Sequence, residues 1–94
     1  MITVGLRTLW EFAEKHSDVR SQISSWIREV EEAVWSTPND IKARFASASF
    51  LAEKTVVFNL KGNKYRLVTK ISFKTQHVIV KWIGTHADYS KRKL

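Results

Sequence analysis

The apolar spacing of this chain switches near Val56 from helical to alternating, and that switch constrains the fold more than any other feature. In Lys64 to Phe73, Tyr65, Leu67, Thr69, Ile71 and Phe73 share one face of an extended strand. Lys64, Arg66, Val68, Lys70 and Ser72 share the other. In Val56 to Leu60 the inward set is Val56, Phe58 and Leu60, leaving Val57 and Asn59 opposite. Gly62-Asn63 is a two-residue hairpin signal. It predicts Lys61 across from Lys64, Phe58 from Leu67 and Asn59 from Arg66, with both apolar sets on one face. A second two-residue turn at Thr75-Gln76 would pair Phe73 with Val78, Ile71 with Val80, Thr69 with Trp82 and Lys70 with Lys81. Arg66 would then face Thr85, with His86 next. An odd loop length there would break the agreement of faces, because side chains alternate with a period of two.

Upstream the period is helical. Ile2-Thr3-Val4 suits a short first strand, followed by Gly5. Leu6, Leu9, Trp10 and Ala13 form an amphipathic stripe. Ser17 is expected to cap a second helix, with Asp18 at its positive end. Val19, Ile23, Trp26, Ile27, Val30, Ala33 and Val34 would face the core from it. Thr37-Pro38-Asn39-Asp40 is expected to stop that helix. Residues 41–53 suit a short helix or an irregular segment, with Ile41, Phe45, Phe50 and Leu51 plugging the core. The expected fold is α+β: two N-terminal helices packed on one face of a small, mainly antiparallel sheet. With 94 residues, and no repeat or linker, the expectation is a single domain over 1–94.

Charge divides at the same place. Lys54 to Leu94 hold ten Lys and Arg and a single acid, Asp88, for a net of +9; the first 53 residues hold six basic residues and eight acids, for a net of −2. A solubilising surface mixes its signs, whereas here the outer sheet face gathers Asn59, Lys61, Lys64, Arg66, Lys70 and Lys81. A face of one sign is the footprint of a binder of polyanions, nucleic acid above all. The chain has no Cys, which removes disulfides, zinc thiolates and cysteine nucleophiles. The N-terminus does not resemble a signal peptide and no apolar run approaches a membrane span, so a cytoplasmic protein is expected.

Metal-dependent nuclease chemistry would need carboxylates, and the basic half has one. The spacing of His16, His77 and His86 fits no zinc motif. Acid–base groups among cations suit another reaction, RNA cleavage by the 2′-hydroxyl. There a base takes the hydroxyl proton, an acid protonates the departing 5′-oxygen, and cations stabilise the charge added at phosphorus. His86 suits proton transfer, Tyr89 offers a phenol and a stacking ring, and Arg66 is the best phosphate fork. Lys61 and Lys64 lie at its rim, and crowding would depress a lysine enough to make it a base. The candidate catalytic residues are therefore Arg66, His86, Tyr89 and Lys64. Candidate RNA contacts are Asn59, Lys61, Asn63, Lys70 and Lys81. His16 and His77 lack such company and read as surface residues.

The order of these elements resembles the HigB branch of the RelE-like toxins of bacterial toxin–antitoxin systems. The resemblance spans nearly the whole chain and is sharpest at Phe58, Asn59, Gly62, Asn63 and Arg66, then at Thr85, His86 and Tyr89. It implies a ribosome-dependent mRNA endonuclease that inhibits translation without a metal or other cofactor. The implied partners are mRNA, the ribosome and a HigA-type antitoxin, with operator DNA reached only through that antitoxin and no membrane. Asn59, Asn63, Arg66, His86 and Tyr89 are the matched polar positions. The family commonly has an acid where Ser90 follows Tyr89. Some RelE-like relatives act on gyrase, so a gyrase-directed toxin is one alternative. A non-catalytic RNA- or ribosome-binding module, or a domain whose basic face only receives an acidic antitoxin, are others.

Overall fold

A computed structural model describes residues 1–92; Lys93, one of the ten cations of the basic half, lies outside the described residues. The elements are β1 (Ile2–Val4), α1 (Leu6–Lys15), a single 3-10 turn (Ser17–Val19), α2 (Arg20–Glu32), α3 (Pro38–Arg44), β2 (Ser49–Phe50), β3 (Thr55–Leu60), β4 (Tyr65–Ser72), β5 (His77–Thr85) and α4 (His86–Ser90). Among the described residues the strands form one sheet in the order β1-β5-β4-β3-β2. The β1–β5 pair is parallel and the other three pairs among the described residues are antiparallel. Gly5 joins β1 to α1 at φ 89°, and a Cβ there would stand 3.1 Å from the Val80 carbonyl oxygen. A positive φ and a close approach to β5 both favour glycine at that corner.

One face of the sheet is the core. Leu9 and Ala13 of α1, and Ile23, Trp26 and Val30 of α2, are buried with Val56, Phe58, Leu60, Leu67, Ile71, Val78, Val80 and Ile83. Trp35, Phe45, Phe58 and Trp26 form a chain of edge-to-face rings 5.1–6.1 Å apart. Such contacts add to the area term of large buried rings. The first hairpin has the register expected from Gly62-Asn63, with Phe58 opposite Leu67 and Asn59 opposite Arg66.

The second hairpin departs from expectation. Its loop spans residues 73–76, not two residues, so Ser72 pairs with His77 and Ile71 with Val78. The Ser72 hydroxyl accepts from the Thr75 N–H and hydroxyl, and Gln76 adopts φ 60° while its amide donates to the Phe73 and Trp35 carbonyls. These bonds close a longer loop and leave Phe73 out of the ladder. A bulge follows. Thr69 pairs with Val80 and Val68 with Trp82, leaving Lys81 as the extra residue. The bulge reverses the facing of everything beyond it. Ile83 takes the core position expected for Trp82, and Trp82 moves to the outer face. Lys70 lies opposite Ile79 rather than Lys81, and Arg66 opposite Gly84 rather than Thr85.

The helical half also differs in detail. Ser17 makes no capping bond, and α2 begins at Arg20 after the 3-10 turn. It ends at Glu32, because Ala33 is extended, and Val34 is left 80% exposed. Thr37 to Asp40 do not stop α2; they start α3 through a capping box with Pro38 in the first turn. Ile41 is buried and Phe45 partly so, but Phe50 and Leu51 are exposed.

Truncation should report this division directly. Trp26→Ala should cost about 3–5 kcal/mol and Ile71→Ala about 2–5, whereas Leu51→Ala should change stability by no more than about 0.5. The measurement is the denaturant midpoint at unchanged slope.

Candidate nucleic-acid interface and active site

Two rows of side chains cross the outer face over β3, β4 and β5. One is Val57, Val68 and Trp82; the next is Asn59, Arg66 and Gly84. Val57 and Val68 are buried, so this face is not uniformly polar. Arg66 is the centre of the second row. Its guanidinium donates to the side-chain oxygen of Asn59 and, at 3.3 Å, to that of Asn63. The Tyr89 ring lies 5.8 Å from its central carbon. Asn59 is itself fixed by donating to the Ser47 carbonyl at 3.1 Å. Among the described residues no carboxylate lies within ion-pair distance of Arg66. Neutral amide oxygens orient the fork while leaving its whole charge for an anion.

α4 completes the arrangement. The Thr85 hydroxyl accepts from the Asp88 N–H at 3.1 Å and starts the helix. The His86 N–H donates to the Lys64 carbonyl at 2.9 Å, stapling α4 to the first hairpin. His86 is exposed, one residue beyond the Tyr65–Thr85 rung of the ladder. The structure thus brings Asn59, Asn63, Arg66 and Tyr89 into contact and seats His86 beside Lys64 through the backbone. Lys70 and Lys81 lie further along the sheet, bordering a groove with Val68, Thr55 and Arg92; Glu53 stands 3.9 Å from Lys70.

Lys61 and Lys64 behave differently from expectation. Asp18, on the 3-10 turn, accepts from Lys64 at 2.7 Å and from the Tyr65 hydroxyl at 2.7 Å, and Lys61 stands 3.9 Å away. The hydrogen bond from Lys64, then that from Tyr65, hold the Asp18 carboxyl at about 2 despite some desolvation. The same hydrogen bond raises the Lys64 pKa, so Asp18 outweighs the lysine crowding that was expected to lower it. A raised pKa favours the charged form of Lys64. His16 is also not a plain surface residue: it stacks on Phe12 at 4.2 Å and meets the Tyr65 ring edge-on. His77 bonds Thr75 at 3.0 Å. Among the described residues no three His, Asp or Glu side chains are grouped to hold a metal ion.

Asp18, Trp82, Gly84 and Arg92 belong to this surface and were not singled out from the sequence. Trp82 and Gly84 carried a signal: a glycine inside a strand marks a close approach, and the residue two before it shares its face. Asp18 carried none, because its partners are 46 and 47 positions away.

The Asp18 contacts make stability depend on pH at both ends of the scale. Asp18 has a folded pKa below the ordinary 3.8, so its contribution is complete above that value and lost as pH falls through about 2. The raised pKa values of Lys64 and Tyr65 act oppositely, their share being present below 10.5 and 10.0 and lost as pH rises beyond. Asp18→Asn should be less stable than the wild type by a constant margin between about pH 5 and 9. That margin should shrink in both acid and alkali, measured by chemical denaturation across pH. A margin that ignores pH would contradict these contacts.

Comparison with known proteins adds a family to this geometry. Residues 19–92 match the HigB_toxin family model, described as the RelE-like toxic component of a toxin–antitoxin system. The mRNA interferase toxin HigB of Escherichia coli strain K12 is 26% identical over 91 residues, covering 95% of this chain and 88% of that protein. The mRNA interferase HigB of Shigella flexneri aligns over the same shares of the two chains at 26%. The mRNA interferase HigB of Escherichia coli O6:H1 is 29% identical over 83 residues, covering 86% of this chain and 81% of that one.

Proposed function

The chain belongs to the HigB family of RelE-like toxins, and on that premise we propose that it cleaves mRNA on the ribosome at the Arg66 site. The observation that carries the proposal is the cradle of Arg66. Its guanidinium is aimed by two neutral asparagines and a tyrosine ring, and among the described residues no acid lies within ion-pair distance of it. The reaction suited to such a fork is transesterification within RNA. The 2′-oxygen bonds to phosphorus, the bond from phosphorus to the 5′-oxygen breaks, one proton leaves the 2′-hydroxyl and another reaches the 5′-oxygen.

Arg66 stabilises the charge that builds on the phosphoryl oxygens, and two parallel N–H donors suit that geometry. His86 supplies the imidazole that moves a proton, since imidazoles as a class exchange protons near neutral pH. Tyr89 positions the nucleotide at Arg66. Asn59 and Asn63 hold the fork. Lys64, Lys61, Lys70 and Lys81 draw the RNA backbone, with Lys61 and Lys64 exchanging Asp18 for phosphate.

As a toxin-antitoxin component the protein has an antitoxin as its partner. A HigA-type antitoxin covering the Arg66 face, in the cytoplasm where mRNA and ribosomes meet, completes the proposal. Among the described residues no helix is long and apolar enough to cross a membrane.

Single-turnover cleavage of mRNA on programmed ribosomes tests the roles. Arg66→Ala should slow cleavage by about 100-fold or more while changing binding much less, because the extra charge appears only in the transition state. Arg66→Lys should not restore the rate, since a point charge replaces a planar fork. His86→Gln should bind and not cut. Equal losses in binding and cleavage would leave a binding module, and an active His86→Gln protein would remove His86 from proton transfer.

A further inference from the structure

We propose that Trp82 forms a nucleobase-stacking subsite next to the Arg66 phosphate site, covered by Arg92 until RNA arrives; this rests on the nuclease reading above. Trp82 is half-buried and lies outside the core cluster, on the opposite side of the sheet from the other three tryptophans. The strand bulge at Lys81 puts it there. Its six-membered ring lies over Gly84: a Cβ on Gly84 would come within 2.3 Å of the ring's Cζ2. Gly84 is the ladder partner of Arg66, so the indole is laid alongside the phosphate fork. A glycine at this rung is what lets a large ring lie down across the strand.

The neighbours of the ring are those of a single-strand binding surface. Tyr89 is 6.3 Å away and tilted by 40°, and the Arg92 guanidinium sits 4.6 Å from the indole centroid. Arg66 lies against the Tyr89 ring and Arg92 against the Trp82 ring, so two neighbouring rings are flanked by a cation at each end. A base needs an aromatic face with phosphate-binding cations on either side, and stacking tolerates any base because every base has a π-face. At 4.6 Å there is no room for a base between Trp82 and Arg92, so Arg92 must swing off. It is exposed, follows the last turn of α4, and has a backbone phosphate to take instead. Lys81, the bulge residue, is exposed next to Trp82 in the chain and adds a further cation.

The test places an abasic nucleotide at successive positions beside the cut site of a short mRNA on programmed ribosomes. Cleavage rates are measured for the wild type, Trp82→Phe and Trp82→Leu, each checked for an unchanged melting transition. One abasic position should slow the wild type by about fivefold or more, the size expected of one stacked base. Trp82→Leu should lose about as much on the intact mRNA and nothing further at that position. Trp82→Phe, which keeps a smaller ring, should retain most of the rate and a reduced sensitivity to the abasic site. If the losses from Trp82→Leu and from every abasic position multiply, Trp82 touches no base and the subsite is overturned. If Trp82→Leu fails to fold, the comparison of Trp82→Phe with wild type decides, since a smaller ring should weaken the abasic penalty at one position only. Failure of the wild type to cut any programmed mRNA would overturn the nuclease reading, and the subsite with it.

Discussion

The outer face of this protein depends on one extra residue in β5. Lys81 has no partner on β4, and the strand beyond it is rotated by one position relative to the strand before it. Without that insertion Trp82 would point into the core and Ile83 out. With it, Trp82 and Gly84 reach the outer face together, and Gly84 stands opposite Arg66. Bulges re-aim side chains where a regular ladder would point them the wrong way. Here the re-aimed residues are the large ring of Trp82 and the glycine opposite Arg66 that makes room for it. Ile83 takes the place in the core that a regular ladder would give to Trp82.

A second constraint ties the helices to the same site. Asp18 stands at the junction of α1 and α2, and its carboxylate gathers Lys61, Lys64 and Tyr65 from the first hairpin. The cations on the rim are therefore paired in the free protein, while Arg66 at the centre is held by amides. In the proposed reaction the uncompensated charge of Arg66 would meet the reacting phosphate, and the compensated rim the backbone of the RNA. Exposed pairs of this kind are weak individually and exchange readily for phosphate. They fix the hairpin's position without blocking its use. His86 joins the same unit by its backbone bond to Lys64.

The sequence made the helices, the sheet and the first hairpin legible because each rests on a local signal. The stripe Leu6, Leu9, Ala13 and the pair Gly62-Asn63 both lie within a few residues of what they determine. The second hairpin was not legible, since its loop is closed by the Ser72 and Gln76 side chains rather than by turn-forming glycine or asparagine. The bulge was hidden for a different reason. Both Trp82 and Ile83 are apolar, so the alternation in β5 reads equally well in either frame. Of the candidate site, Asn59, Asn63, Arg66 and Tyr89 are named by the sequence reading and lie next to one another in the structure. The pairing of Lys64 with Asp18 was not legible, because the two are remote in sequence. The antitoxin-facing surface has no geometric signature among these contacts.

The chemistry at Arg66 is most directly tested by the ends of the cut RNA. On programmed ribosomes, attack by the 2′-oxygen leaves a 5′-hydroxyl on one fragment and a 2′,3′-cyclic phosphate, or its hydrolysed form, on the other. A single 2′-deoxy nucleotide at the cut site should then abolish cleavage. A 5′-phosphate product, or full cleavage at the 2′-deoxy position, would require an activated water and would contradict the roles assigned to Arg66 and His86.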